Sequence, residues 1–153
     1  MPVVVIDTNV WVSAFLNPEG ALARLWEAGK TGRYNITTSP PLLGELLEVL
    51  CRPRIMRVHG TSVVEAENFV QGIAAAATLV SVAGSLKLCR DPDDDLILET
   101  AVVGRATHLV SRDEDLTRDR DVVSQLDRRG GSSRYRQPFH GDSWRTQEVS
   151  ILQ

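Results

Sequence analysis

Val3-Val4-Val5-Ile6-Asp7-Thr8-Asn9 opens the chain and decides its class. Four consecutive apolar, β-branched residues are too few for a helix. They read as a strand covered on both faces, as strands of parallel sheets are. Asp7-Thr8-Asn9 supplies cap-type residues, so a helix is expected from there through about Leu16. The strand therefore ends in an acid at the point where the backbone turns into a helix. In open parallel sheets, ligands bind beyond that end of the strands.

The same alternation continues outward. Asn17-Pro18-Glu19-Gly20 is a turn, residues 21–28 a short helix and Asn35-Ile36-Thr37-Thr38 a second strand. Ser39-Pro40-Pro41 combines a cap residue with proline at the first helical position, opening a helix over 41–50 that Arg52-Pro53-Arg54 breaks. A helix over 61–76 and a strand over 78–82 follow. Asp91-Pro92-Asp93-Asp94-Asp95 opens a helix to about Gly104, read as its C-cap, and His108-Leu109-Val110 is a fourth strand ending at Ser111-Arg112-Asp113. Strands alternating with helices predict an α/β fold built on a parallel sheet. Beyond Leu116 the pattern stops. Residues 128–136, Arg-Arg-Gly-Gly-Ser-Ser-Arg-Tyr-Arg, are basic and aperiodic and read as loop through Trp144. The expected division is a domain over 1–126 and an atypical basic tail over 127–153, with a last strand at 149–152.

A length of 153 residues suits one domain with a real core, and 42% hydrophobic with 24% charged residues is ordinary for a globular protein. No apolar run is long enough to span a bilayer, and the N-terminus lacks a basic region before its first acid. A cytoplasmic location without a membrane partner is expected. Cys51 and Cys89 fit no ligand spacing and read as free thiols. His59, His108 and His140 stand singly, which argues against zinc. The net charge of −3 gives no general attraction to nucleic acid, so binding RNA would need local basic patches or cations. Of seventeen cationic residues only Lys30 and Lys87 are lysines. That bias suits phosphate recognition and equally suits a GC-rich genome.

The remaining acids fall in telling places. On the helix after Asp91, Asp94 has Ile97, Leu98 and Ala101 at i+3, i+4 and i+7, the apolar stripe. A carboxylate on that face needs a cation, a hydrogen bond or a proton. The alternative for Asp94 is favourable interaction with the helix dipole, which accounts for Asp91 and Asp93. Asp95 and Glu99 are assigned to the polar side. Glu45 borders the stripe formed by Leu42, Leu46, Val49 and Leu50, while Glu48 lies nearer mid-face. Asp113 follows the fourth strand and Asp115 lies two residues on. Carboxylates without ligating His or Cys form a hard, all-oxygen site suited to one or two Mg²⁺ or Mn²⁺ ions.

Three segments together resemble the PIN-domain nucleases. They are Val5 to Leu16, Ser39 to Leu47 with Leu50-Cys51-Arg52-Pro53, and Asp91 to Ala101 running on to His108 to Leu116. Order and spacing agree over about three quarters of the chain, and the nearest resemblance is to VapC-like toxins of toxin–antitoxin pairs. The resemblance implies a three-layer α/β/α sandwich with a central parallel sheet of four or five strands. It implies Asp7, Glu45, Asp94 and Asp113 as catalytic acids, with metal held by Asp7, Asp94, Asp113 and Asp115. Thr8 and Asn9 match small polar residues that brace the first aspartate, and Ser111 matches a small hydroxyl residue before the fourth acid. The tail departs from the family pattern. It reads either as a displaced fifth strand at 149–152 or as a segment foreign to the pattern.

The expected function is metal-dependent endoribonucleolytic cleavage by the toxin half of a type II pair, with RNA as substrate, an antitoxin as partner and a homodimer as assembly. Arg112, Arg52 and Arg54 are candidate RNA contacts. The alternative is a non-catalytic RNA- or antitoxin-binding module with a vestigial site. A phosphatase using Asp7 as nucleophile would want a second acid two residues on, where Asn9 stands. Trp11 and Phe15 are assigned to core or dimer packing rather than base stacking.

Overall fold

The computed structural model describes residues 1–84, Lys87 and 92–111, with strands at 133–135 and 147–151; for 92–94 and the last two strands it describes the backbone alone. The expected calls at Asp91, Arg112, Asp113 and Asp115, and most of the tail, lie outside the described residues. Strands β1 (Val3–Ile6), β2 (Asn35–Thr38), β3 (Thr78–Leu79) and β4 (His108–Ser111) pair in parallel in the order β3-β2-β1-β4. Strand β6 (Gln147–Ile151) runs antiparallel against β4, and β5 (Ser133–Tyr135) antiparallel against β6. The segment read as loop thus contains a strand.

Helices α1 (Thr8–Leu16), α2 (Ala21–Lys30), α3 (Pro40–Leu50), α4 (Pro53–His59), α5 (Val63–Ala76) and α6 (Pro92–Val103) connect them. Helix α4 was not expected. Pro53, taken as a breaker, occupies its first turn, where the missing N–H costs nothing.

Strand register separates the two faces. Val4, Ile36 and His108 are in register, as are Val5, Thr37 and Leu109 one step on. Val4, Ile6, Ile36 and Val110 pack into one core with α1, α2, α3 and α5; Val5 and Leu109 pack into a second with α6 and Leu42. These two cores on opposite faces of one sheet make the α/β/α sandwich. The first core holds Trp11, whose ring meets Trp26 and Phe69 edge-on at 5.2 and 6.1 Å, while Phe15 meets Phe69 at 5.1 Å. Trp11 is a core residue, 4% exposed. Tyr34 is also buried there. Its hydroxyl donates to the Leu25 carbonyl at 2.5 Å, and desolvation pushes its pKa up to about 12.

The packing of α6 sets the site. Its Thr100 hydroxyl meets that of Ser39, just past β2, at 2.9 Å. Four residues on, Gly104 lies against Thr37, where an added Cβ would come within 2.5 Å of Thr37 Cγ2. As α6 advances, β2 recedes, so the two run antiparallel. Gly104 is thus required by close approach rather than by its torsion. The left-handed residue is Arg105, φ 52°, in a Schellman motif: Ala106 N–H donates to the Ala101 carbonyl at 2.9 Å and Arg105 N–H to that of Val102 at 3.2 Å.

Candidate active site at the strand ends

Asp7 sits between β1 and α1 in extended conformation, φ −65° and ψ 150°. Its N–H donates to the Val110 carbonyl of β4 at 2.9 Å, and its carbonyl accepts from Val10 and Trp11 as the helix begins. An aspartate in this N-cap position ordinarily turns its carboxylate onto the first free amides of the helix. Here the side chain makes no cap bond. Its Oδ2 instead accepts a 2.6 Å hydrogen bond from the Ser111 hydroxyl at the end of β4. Ser111 is fully buried and Asp7 half-buried.

The neighbouring residue makes the second link. Thr8, 6% exposed, donates its hydroxyl to Glu45 Oε2 at 3.0 Å. Glu45 lies half-buried on α3, between Leu42 and Leu46 of the core and exposed Glu48. The bordering position expected from the stripe is the one observed. Ser111–Asp7 and Thr8–Glu45 therefore tie β4, β1 and α3 together through two adjacent residues. Thr8, expected to brace the first aspartate, donates its hydroxyl to the glutamate. Asn9 is exposed in the first turn of α1, and its carbonyl accepts from the Ser13 hydroxyl at 3.0 Å.

Asp94 belongs to the first turn of α6. Because α6 runs against the strands, this turn lies beyond Thr100 on the side where β1 and β2 end. Six residues of helix carry it about 9 Å past the level of Ser39. Ile97, Leu98 and Ala101 are buried as the stripe predicted. Asp95 and Glu99 correct the expectation of a solvated polar side, being 8% and 6% exposed. The segment leaving β3 reaches α6 at Glu99, where the Ala83 N–H donates to Glu99 Oε1 at 3.2 Å.

The donor set fits a hard cation in kind: carboxylate oxygens flanked by hydroxyls, with no nitrogen or sulfur ligand described beside them. Among the described residues no three His, Cys, Asp or Glu side chains come together at metal-binding distance. Asp7 and Glu45 are the described acids of the site. The Asp94 side chain, Asp113 and Asp115 lie outside the described residues, as does Arg112. Arg52 and Arg54 are exposed at the start of α4, reached from Glu45 along the rest of α3.

A model of the PIN domain family matches residues 3–115. The chain is also 31% identical over 127 residues to Uncharacterized protein MJ1680 of Methanocaldococcus jannaschii, covering 80% of this chain and 78% of that one. No solved structure matches. The matched span runs from the first strand past the last residue of β4, so it contains every side chain described above. No helix among the described residues is long and apolar enough to cross a membrane.

Proposed function

The chain belongs to the PIN domain family, and on that premise we propose that it is a metal-dependent endoribonuclease acting as the toxin half of a toxin–antitoxin pair. PIN domains are generally nucleases, which supports a hydrolase. The observation that carries the finer reading is the diverted cap carboxylate. Asp7 forgoes the amides of α1, is oriented by a buried serine, and stands beside a threonine that orients a second acid. A carboxylate at the end of β1, with a second on α3 tied to the next residue, is placed to act on a ligand rather than to stabilise a helix.

Asp7 and Glu45, with Asp94, Asp113 and Asp115, would hold Mg²⁺ or Mn²⁺. A bound divalent cation lowers the pKa of a water and stabilises charge on a transferring phosphoryl group. The protein's own part is orientation. The Ser111 hydroxyl fixes one oxygen of Asp7, and Thr8 fixes one oxygen of Glu45. A chain of net charge −3 repels phosphate overall, so cations at the acids and local arginines supply the attraction.

Support for the toxin role, the antitoxin partner and a homodimer comes from the resemblance of the three segments to VapC-like toxins. Cleavage of single-stranded RNA in Mn²⁺, abolished by EDTA, tests the activity. Growth arrest on expression, relieved by Asp7→Asn, tests the role. Calorimetric titration with Mn²⁺ separates this reading from a vestigial binding module, which would bind the ion poorly.

A further inference from the structure

The exposed side of α1 leads from the acid site to a cavity at the other end of the helix. Asn9, Ser13 and Asn17 recur at i, i+4 and i+8, a single stripe. Asn9 is exposed one residue past Thr8, and the Ser13 hydroxyl is tied to its carbonyl. The stripe ends at a cavity of about 260 Å³ lined by Ser13, Leu16, Asn17, Gly20, Ala21 and Leu22 and by His59 of α4, its polar groups being those of Ser13, Asn17 and His59. Gly20 allows the turn to close: a Cβ there would lie 2.7 Å from Asn17 Nδ2.

The helix that supplies His59 is cationic. Arg52, Arg54, Arg57 and His59 are all exposed on or beside α4, and among the described residues no carboxylate pairs with these arginines. Unpaired cations gathered on one short helix stand out in a chain of net charge −3. Exposed Glu19 is the acid nearest in sequence to the cavity turn. The aromatic residues of α1, Trp11 and Phe15, turn inward to Trp26 and Phe69. The path therefore offers amides, an imidazole and guanidinium groups, but no Trp, Tyr or Phe ring among its described residues. That is the chemistry of backbone rather than base recognition.

Resting on the nuclease reading of the acid site, we propose that a single-stranded RNA substrate runs along the Asn9–Ser13–Asn17 stripe. A phosphate remote from the cleavage point enters the cavity at His59, with the α4 arginines beside it. From Asp7 to Asn17 is about 15 Å of helix rise, long enough to span more than one nucleotide. A flexible strand can lower one phosphate into a cavity of this size, whereas a duplex holds its phosphates on a rigid cylinder.

The test is fluorescence anisotropy with the full chain in EDTA, using single-stranded RNA oligonucleotides of increasing length from a dinucleotide upward. Wild-type affinity should step up once the oligonucleotide spans the stripe. Asn17→Asp and His59→Ala should each weaken binding of the longer oligonucleotides roughly five- to tenfold and leave the dinucleotide unaffected. Arg57→Ala should lower the salt dependence of log K by about 0.7, the loss of one phosphate contact on a single strand. Glu19→Gln should strengthen binding. All four positions are at the surface or on the cavity rim, and melting curves verify the fold. Affinity independent of length, or unchanged in Asn17→Asp and His59→Ala, overturns the proposal. Cleavage in Mn²⁺, measured in parallel, separates the two readings. Length-dependent binding lost in the variants without wild-type cleavage keeps the stripe and removes the nuclease. Cleavage with unaltered binding does the reverse.

Discussion

The Ser111 hydroxyl donates to Asp7 Oδ2 at 2.6 Å, joining the last residue of β4 to the residue that ends β1. The bond is short, as expected when a hydroxyl donates to a carboxylate. Ser111→Ala keeps the backbone and removes the donor. Hydrogen bonds to charged groups are worth about 1.5–3 kcal/mol. The variant should unfold at lower denaturant, by about that much in free energy, and lose roughly tenfold or more in cleavage rate. Ser111→Thr should recover part of both. Full activity in Ser111→Ala would show that the serine does not orient Asp7.

Thr8 and Glu45 give a separable prediction. Thr8→Val preserves shape in a site only 6% exposed but removes the donor to Glu45 Oε2. Because the swap takes a donor from a half-buried carboxylate, stability should fall by about 1–3 kcal/mol. Cleavage at saturating RNA should fall severalfold as well. Thr8→Ser should restore it. Equal losses in valine and serine variants would point to packing instead of orientation.

The end of α6 predicts two opposite stability changes. Arg105 holds φ 52° at the position where glycine is favoured. Left-handed torsion costs a residue with a Cβ about 1–2 kcal/mol. Arg105→Gly should therefore raise the melting temperature by a few degrees, roughly 2–4 °C per kcal/mol in a chain of this size. Gly104→Ala forces a methyl against Thr37 Cγ2 and the Thr100 carbonyl and should cost about 1–3 kcal/mol. Thermal melts of both variants check the pair.

Tyr34 predicts an alkaline limit. Burial raises its pKa from 10.0 to about 12, so the folded protein keeps a proton that the unfolded chain releases. Stability is fully present below pH 10 and declines as pH rises from there through about 12. Ultraviolet titration should show Tyr34 ionising well above the unfolded tyrosine range, and Tyr34→Phe should flatten the decline while losing the bond to Leu25.

Much of this was legible in residue order. The apolar run Val3–Ile6 and its terminal acid announced a parallel strand that ends in an acid, and the Leu42–Leu46–Leu50 stripe placed Glu45 at its border. The expectations that failed did so where distant segments intervene. Asp95 and Glu99 read as solvated, yet both are buried; for Glu99 a helical wheel cannot show that the chain leaving β3 reaches it. Thr8 was matched through the family resemblance to a residue that braces Asp7, and its hydroxyl reaches α3. Gly104 looked like a torsional cap, whereas its lack of a side chain serves the approach to Thr37. Ser39 reads as a helix cap and occupies that position, but its hydroxyl bonds Thr100. Strand Ser133–Tyr135 exists through pairing with Gln147–Ile151, which composition does not encode.

The central claim is that Asp7 has left its capping role to serve phosphodiester hydrolysis. Its most direct measurement is cleavage of end-labelled single-stranded RNA in Mn²⁺ by the wild type and by Asp7→Asn, which keeps the shape and an acceptor for Ser111 but removes the charge. The account predicts cleavage by the wild type that EDTA abolishes, and a loss of about a hundredfold or more in the variant at unchanged fold. Equal cleavage by the two proteins would contradict it.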